Sequence, residues 1–571
     1  MTKSKRIMES RKGIRLLLII LSILASLKML LFAFGLDEEY QVVMAYRNAT
    51  GDKLFLDMWE PHQSSAFLCT MLMKPWLLLF GTTGVVLYLR VCGTLIHLGI
   101  SVYFYRVMKD FVRGEYAWLL ALIYFNTIPK QIMLPEFGIM QVWFYTLLSL
   151  FLIRYYVGGR KVRYLVLAAL ALVLNVLSYP SCLILFPFVL LVVARLSEKD
   201  RWRDMGIVFL VCTFCAAIYL GILFIYTNPK ELVTTLSHIL NGDVTHSLAP
   251  LGKMLALIQS AVLMGLLWLG CRLAAVLITK WRNFGKEAVF CITVAMSCVI
   301  DLIFWILLNR GYESMQLHLP VFALEGVIAY RSLGRETDIK GSETDKKAKL
   351  LQYCMLGALL SLVAVVYLTD LSLVPSVPHA MPAAFFGAVL LIFTLERAKK
   401  EKLVKWGAYF VLTVWGFTAV LGKGYTLRGG VEYNNVLQSG GILKYGPAAG
   451  TISSYMGAYV YNCDYEDWNT YLQDGDRVLI MVDQVMNLGT IQYLFKNVEI
   501  SHFSVVNPTA YDERLLEYWE LYPEKMPNVI IVDCWYGQLM TDPNGWMMQY
   551  IENDFGYSQV NDGRYIRIFR K

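Results

Sequence analysis

Charged residues are scarce in this chain. Only 17% of its 571 residues are Asp, Glu, Lys or Arg, whereas soluble domains carry about 25%, so a soluble multidomain enzyme and a disordered protein are both excluded. Cysteine is also rare, with 11 residues at no regular spacing, which excludes a disulfide scaffold. The hydrophobic fraction is 57% and the mean hydropathy is +0.49. These values predict a polytopic α-helical membrane protein.

The few charges are unevenly distributed. From Gly422 to the C-terminus the chain has 11 Lys and Arg against 18 Asp and Glu, a balance of −7. The remainder has 41 against 26, a balance of +15. A basic membrane part with an acidic tail is not the pattern of a nucleic-acid-binding protein. The shift in composition predicts a membrane domain at 1–421 and a separate domain at 422–571.

Thirteen stretches are apolar enough to cross a bilayer, which takes about 20 residues in a helix. The first is too long for a cleaved signal sequence, and no small-x-small cleavage motif follows it, so we expect it to be the first membrane helix. The predicted spans are 14–36, 84–105, 116–134, 139–157, 162–178, 181–195, 205–226, 252–279, 287–308, 315–330, 350–369, 380–396 and 404–421.

Lys and Arg in the connecting segments predict the orientation of these spans. With the N-terminus in the cytoplasm, the cytoplasmic segments contain 31 Lys and Arg, and the short loops on the other side contain six. An odd number of spans then places the acidic C-terminal domain outside. We therefore predict a multi-pass protein of the cell membrane with a cytoplasmic N-terminus and an extracytoplasmic C-terminal domain.

Residues 434–571 differ from the rest because their apolar runs shrink to the length of strands. Helix-like stretches near 484–496, 511–522 and 545–554 alternate with these runs, which is typical of a small α/β sheet. Asp483 and Asp533 directly follow strands, where α/β folds often hold ligands, although helix caps and turns are the commoner explanation. Cys463 and Cys534 either pair or remain buried thiols. We expect a recognition or packing module rather than a second active site. The predicted strands are 477–483, 498–506, 528–534 and 565–569.

The segment 35–75, between the first two spans, concentrates polar groups. It begins GLDEEY, so that Asp37 and Glu38 directly follow the first span, and it continues to a second cluster that contains Glu60 and His62. A single acid at a membrane boundary needs no special explanation, because helix ends are solvated there. Two clusters in one compact loop favour a functional site. Apolar stretches in the same loop predict short helices that lie flat on the membrane.

This loop resembles the first outer loop of membrane-embedded glycosyltransferases with the GT-C fold, in particular the branch of protein O-mannosyltransferases and lipid A aminoarabinose transferases. Asp37-Glu38 resembles the acidic pair of that family, and Gly51–Gln63 resembles the approach to its proline motif. The double proline of the family is absent here, where the chain reads Glu60-Pro61-His62-Gln63-Ser64-Ser65. The resemblance covers roughly residues 14–330.

Two further outer segments fit the same family. One contains Lys130 and Glu136, the latter being the acid available where relatives place a site carboxylate. The other, residues 309–320, resembles the Arg-Tyr and proline segment near the donor phosphate and contains Arg310, Tyr312 and His318. An ionisable side chain inside a predicted span, such as His318, is costly unless it has a partner or water, and so indicates a functional site. A structural histidine is an equally simple explanation.

The resemblance implies an enzyme that transfers a hexose or pentose from a polyprenyl-phosphate sugar to an acceptor hydroxyl. It implies Asp37 as the base that removes the acceptor proton, with Glu38 beside it to raise its proton affinity or to orient the acceptor. Arg310 and His318, with Lys130 as a third candidate, are the expected phosphate contacts, since Arg can bind phosphate oxygens in pairs. The expected substrate-binding residues also include Glu60, His62, Glu136 and Tyr312.

His62 is a candidate either for the phosphate or for a divalent metal ion, which some relatives use, but no ligand spacing in the sequence points to a metal. We expect Asp37, His62, Glu136 and His318 to surround one cavity. The acceptor is expected to be a glycan, lipid or protein of a bacterial cell envelope. Two alternatives remain open: a secondary transporter or lipid flippase, although we find neither internal repeats nor broken midplane helices, and a non-catalytic scaffold that presents the C-terminal domain.

Overall fold

The computed structural model describes residues 3–32, 36–242, 250–308, 316–333, 343–369, 376–397, 401–425, 427, 436–481, 489–501, 514–535, 538–539, 542, 545–554 and 556–571. All structural statements below concern these residues. Of the predicted site residues, Arg310 and Tyr312 lie outside them, as does Asp483, and the side chain of Lys130 is not described.

Each of the thirteen predicted spans corresponds to a helix of the membrane domain. Eight helices among the described residues are long and apolar enough to cross a membrane, and the others are shorter or more polar. The prediction of a polytopic helical protein with a small C-terminal sheet is therefore confirmed. The helices are α1 (Lys3–Leu31), α2 (Leu36–Thr50), α3 (Ala66–Phe80), α4 (Val85–Met108), α5 (Gly114–Asn126), α6 (Phe137–Val157), α7 (Val162–Ser178), α8 (Leu185–Leu196), α9 (Arg201–Leu223), α10 (Pro229–Gly242), α11 (Pro250–Trp281), α12 (Lys286–Leu308), α13 (Leu319–Leu333), α14 (Glu343–Thr369), α15 (Met381–Arg397) and α16 (Glu401–Tyr425).

Helices α13 and α15 pack very closely against each other. A Cβ atom on Gly326 would lie 2.3 Å from the carbonyl oxygen of Gly387, and one on Gly387 would lie 2.6 Å from the Cα atom of Ala323. Only glycine fits at this distance, and small residues are the usual means by which membrane helices approach closely. Nearly every described side chain of α15 is consequently buried.

Three helices lie in the loops between spans. α2 and α3 form the segment 36–80, as the apolar stretches of that loop predict, and α10 lies in the loop after α9. The end of α3 exposes Leu78 by 86% and Leu79 by 73%. Side chains of this kind suit the membrane interface expected for this helix.

The C-terminal domain contains a mixed sheet. Its strand order is β4-β3-β5-β8-β7. β4, β3 and β5 are parallel to one another, β8 is antiparallel to β5, and β7 is antiparallel to β8. The short strand β6 pairs with β5. Cys463 and Cys534 are both free thiols. The strands are β1 (Gly441–Ile442), β2 (Ile452–Ser453), β3 (Arg477–Met481), β4 (Glu499–Ile500), β5 (Val529–Trp535), β6 (Gln538–Leu539), β7 (Ser558–Gln559) and β8 (Ile566–Arg570), and the helices are α17 (Tyr455–Tyr471), α18 (Arg514–Leu521) and α19 (Trp546–Gln549).

The loop between α2 and α3 joins this domain to the membrane bundle. Trp59 is buried in the core of the domain, where it packs edge-on against Tyr518 at 5.3 Å and stacks on His238 of α10 at 4.5 Å. The Tyr518 hydroxyl donates to the carbonyl oxygen of Asp57 at 2.8 Å. We call the end of the bundle that carries this domain the domain side. The loop with the predicted catalytic pair is thus held between two folded bodies.

Candidate active site

The first turn of α2 presents its three acids to three different surroundings. Asp37 is partly buried at the start of the helix, where the aligned peptide dipoles favour a negative charge. Glu38 and Glu39 are each only 3% exposed, and they face the membrane bundle and the C-terminal domain, respectively. Three consecutive residues of a helix point in directions about 100° apart, so this divergence follows directly from the helical geometry.

Glu38 forms a two-pronged ion pair with Arg90 of α4. The Nε and Nη2 atoms of Arg90 each lie 2.7 Å from one carboxylate oxygen, and the Arg90 side chain is also only 3% exposed. Nη1 of Arg90 donates to the carbonyl oxygen of Leu30 at 3.0 Å. Arg90 therefore ties α2 to the end of α1, and Glu38 is fixed in place with its charge compensated.

Cations also close the ends of two other helices on the domain side. The Lys28 ammonium donates to the carbonyl oxygen of Lys423 at 3.1 Å, in the last turn of α16. The Lys423 ammonium donates to the carbonyl oxygen of Phe125 at 3.4 Å, in the last turn of α5, and to the hydroxyl of Ser26 at 2.9 Å. Helix C-termini carry unpaired carbonyls and partial negative charge, which attract cations. Both lysines thus have a structural role as caps of helix C-termini at this end of the bundle.

Glu39 connects α2 with the segment Thr490–Leu494 of the C-terminal domain. The Thr490 hydroxyl donates to a carboxyl oxygen of Glu39 at 3.0 Å. Burial raises the pKa of Glu39 to about 8, helped by the nearby acids Glu38 and Asp533, although hydrogen bonds from Thr490 and Ile491 act in the opposite direction. This carboxyl group therefore holds a proton at neutral pH.

Four ring side chains form an aromatic cluster beside α2: Tyr40, His62, Phe137 and Tyr179. His62 stacks on Phe137 with ring centroids 4.4 Å apart and lies 4.9 Å from the ring of Tyr179. Tyr40 meets Phe137 edge-on at 6.2 Å, and its hydroxyl accepts from the backbone N–H of His62 at 3.5 Å. Since Tyr40 lies one helical turn after Asp37, the structure brings the first predicted base and His62 to the same part of the domain side.

Two predicted acids of the site are fully buried. Glu136 is the N-cap of α6, where its side chain accepts from the backbone N–H of Ile139 at 3.0 Å. Such a cap is a sufficient structural role, since it satisfies one of the unpaired N–H groups of the first turn. Glu60 is 0% exposed and adds to the negative charge around the buried guanidinium of Arg47.

His379, which the sequence analysis did not single out, extends the aromatic cluster. Its ring meets Tyr179 edge-on at 6.2 Å, and its Nδ1 atom lies 2.9 Å from Oε1 of Gln141. Gln141 donates in turn to the hydroxyl of Ser361 at 2.7 Å. The three residues of this hydrogen-bonded series lie on α6, α14 and the turn before α15, and no local sequence pattern relates them.

His318 lies at the start of α13, packed edge-on against Trp415 at 5.9 Å. Its Nδ1 atom is 2.6 Å from Oδ2 of Asp301 on α12. The neighbouring Gln316 donates to the carbonyl oxygen of Ile128 at 3.4 Å, just before the segment with Lys130. His318 is therefore also on the domain side, and the single cavity expected around Asp37, His62, Glu136 and His318 stays a prediction.

A metal ion finds no obvious set of ligands in the described part of the chain. There, no group of three or more His, Cys, Asp or Glu side chains is arranged to hold one. The role of His62 as a metal ligand therefore gains no support from its surroundings, which are aromatic.

No protein-family model matches the sequence, and no curated protein matches it significantly. Several solved structures are similar to it, among them the following two. ArnT from Cupriavidus metallidurans, bound to undecaprenyl phosphate, has 10% identity and a TM-score of 0.48, with 98% of each chain covered. The oligosaccharyltransferase of Archaeoglobus fulgidus, tethered to an acceptor peptide, has 11% identity and a TM-score of 0.47, covering 91% of this chain and 69% of that one.

Both proteins are membrane glycosyltransferases of the GT-C fold, the class that the loop 35–75 resembles. Identities of 10% and 11% and TM-scores below 0.5 leave the role of every residue to be argued from this chain alone.

Proposed function

We propose that this protein is a glycosyltransferase that moves a sugar from a polyprenyl-phosphate carrier to a hydroxyl group of a cell-envelope acceptor, on the outer face of the membrane. The observation that carries the proposal is the first turn of α2. It offers a partly buried carboxylate, Asp37, at a helix N-terminus that is clamped from both sides by the Glu38–Arg90 ion pair and the Glu39–Thr490 hydrogen bond.

Inverting sugar transfer needs a base at the acceptor hydroxyl and a group that stabilises the departing phosphate. We assign the base to Asp37. The two residues that follow it, Glu38 and Glu39, are buried and have defined partners, so they fix the first turn of α2 that carries Asp37. A general base works only when it is held within hydrogen-bonding distance of its proton. In this proposal Glu38 is a positioning residue, which holds α2 in place through its ion pair with Arg90.

The aromatic cluster of Tyr40, His62, Phe137 and Tyr179 is proposed to bind the sugar. One of its rings, that of Tyr40, lies one helical turn after Asp37, and stacked and edge-on contacts hold the four rings together. The phosphate contacts are proposed to be Arg310 and His318, with Lys130, as the resemblance implies, and Tyr312, Glu60 and Glu136 are proposed to line the substrate site. The proposed orientation is that of the loop charges, with the domain side outside.

The test is transfer from a labelled polyprenyl-phosphate sugar by purified protein in detergent, with a panel of envelope acceptors. Asp37→Asn keeps the size of the side chain but removes its basicity, so turnover should fall by about 100-fold or more, within the range of a general base. Donor binding should change little. Asp110→Asn removes an exposed carboxylate from the far end of α4, where Asp110 pairs with Arg154, and is the matched control.

Near-normal turnover in Asp37→Asn would remove the assignment of the base. A wild-type protein that moves labelled lipid across vesicles but transfers no sugar in detergent would instead support the transporter alternative. If neither activity is found with any acceptor, the scaffold alternative remains.

A further inference from the structure

A buried carboxylate–imidazole pair lies between α12 and the start of α13. Oδ2 of Asp301 accepts from the backbone N–H of His318 at 3.0 Å and lies 2.6 Å from Nδ1 of the same residue. Asp301 is 0% exposed and His318 is 3% exposed. Among the described residues, Nε2 of His318 has no hydrogen-bond partner. One nitrogen of the ring is thus fixed, and the other keeps its capacity for one hydrogen bond.

The surroundings of the pair decide how many protons it holds. The nearest rings are Trp415 and Phe322, both edge-on. Ionisable groups on the adjoining helices include the thiols of Cys271 and Cys298 and the ion pair between Arg272 of α11 and Glu325 of α13, which compensates itself. Among the described residues of this shell no charge is left over to balance Asp301, and an uncompensated charge is strongly disfavoured in such a place. The pair of Asp301 and His318 is therefore neutral as a unit.

A neutral pair always carries a proton on Nε2. If Asp301 is ionised, the ring is an imidazolium with protons on both nitrogens. If the shared proton lies on Oδ2, the ring is neutral and its own proton is on Nε2, because Nδ1 accepts. In both cases Nε2 donates, which suits an anionic oxygen and not a hydroxyl proton that is to be removed.

We propose that Asp301 is a positioning residue for the donor phosphate: it fixes the ring of His318 so that Nε2–H is aimed at a phosphate oxygen of the lipid carrier. The inference rests on the proposed function, which supplies the phosphate. It adds a residue from the middle of a predicted span to the site, and it assigns His318 the role of hydrogen-bond donor rather than that of a base.

The Asp301→Asn variant should move the proton of the neutral His318 ring from Nε2 to Nδ1. The backbone N–H of His318 needs an acceptor at the present position of Oδ2, so the amide oxygen takes that place. The same oxygen then requires a proton on Nδ1, and the neutral ring is left with a lone pair on Nε2. A lone pair repels phosphate. Protonation of the ring at lower pH, with the bound phosphate as its counter-charge, would restore the donor.

The experiment is binding of methyl farnesyl phosphate, a prenyl phosphodiester whose single charge does not titrate near neutral pH, to the full-length protein in detergent. Wild-type affinity should be nearly constant between about pH 5.5 and 7.5, whereas Asp301→Asn should bind about tenfold more weakly at pH 7.5 and should regain affinity as the pH is lowered to about 5.5. The matched control is Glu325→Gln, which removes the neighbouring buried carboxylate and should leave the pH profile of binding flat.

Three results separate the possible failures. If the wild type binds and Asp301→Asn has the same affinity and the same flat profile, the inference is wrong while the proposed function stands. If the wild type does not bind the phosphodiester at all, both are wrong. If Asp301→Asn does not fold, the ¹⁵N spectrum of histidine-labelled wild type decides, with the signal assigned through His318→Gln: an unprotonated Nε2 at pH 7.5 would refute the inference, and a protonated one would support it.

Discussion

The buried carboxyl group of Glu39 gives a quantitative test of how α2 is attached to the C-terminal domain. Its pKa is raised from 4.5 to about 8 in the folded protein, so on unfolding the group releases its proton whenever the pH lies between these values. The unfolded state then binds fewer protons than the folded state, and stability falls as the pH rises from about 4.5 to about 8. Above pH 8 the loss is complete.

The Glu39→Gln variant removes this dependence. Glutamine has the same shape and can still accept from the hydroxyl of Thr490, but it does not ionise. A pH of 7 lies 2.5 units above the ordinary glutamate pKa of 4.5, so at this pH the buried proton of Glu39 costs the wild type about 3 kcal/mol of folding stability. Above pH 8 the full shift of the pKa costs about 5 kcal/mol. The variant should therefore be more stable than the wild type by up to these amounts, and equal to it near pH 4.5.

The assay is hydrogen exchange of the backbone amides of Thr490–Leu494 in purified protein, since opening of the interface exposes them. A difference of about 2.5 pH units means that the opening equilibrium at pH 7 is about 300-fold less favourable in the variant. Glu466→Gln, which neutralises an exposed carboxylate on α17, serves as the control. A variant that opens as readily as the wild type at pH 8, or that differs from it most at pH 5, would refute the reasoning.

Three further predictions concern the attachment and the orientation of the site. Arg90→Met should lower stability by about 3–5 kcal/mol, because it leaves Glu38 buried and unpaired, and addition of Glu38→Gln should recover part of the loss in thermal unfolding. Lys525→Met removes the ion pair between Lys525 and Asp52 of the α2–α3 loop, in which the nitrogen and oxygen atoms are 2.6 Å apart and the two side chains are 17% and 13% exposed. This change should lower the Tm only slightly, and less at high salt. For orientation, an impermeant thiol reagent applied to intact cells should label Asn487→Cys and not Ser342→Cys; the opposite result would invert the topology.

The membrane helices were predictable because their cause is local. A chain inside a bilayer must satisfy its backbone hydrogen bonds within each segment, so a sufficiently apolar stretch becomes a helix whatever it packs against. For this reason each of the thirteen predicted spans, including the short one at 181–195, corresponds to a helix. The strands at Arg477–Met481 and Val529–Trp535 were predictable for a related reason, since each is a continuous apolar run of strand length.

The partners of the charged residues were not predictable in this way. Arg90 and Asp301 both stand inside predicted spans, where an ionisable group is expensive, and that signal alone marks them as important. It does not say that Arg90 pairs with Glu38, which is 52 residues away in the sequence, or that Asp301 holds His318. His379 carries an even weaker signal, because it lies at the very edge of a predicted span.

The sequence by itself determined that the protein is a basic helical membrane domain with an acidic sheet domain attached, because hydropathy, charge balance and strand-length runs are properties of each segment alone. It also marked the acids after the first span as a candidate site. Only the tertiary structure decided that Glu38 is neutralised by Arg90, that Glu39 is buried against Thr490 and that Asp37 stands in the helical turn that these two contacts fix. The reason is physical: whether a carboxyl group is a base, a structural anchor or a neutral hydrogen-bonding group depends on burial and on neighbouring charge, and both come from residues far away in the chain.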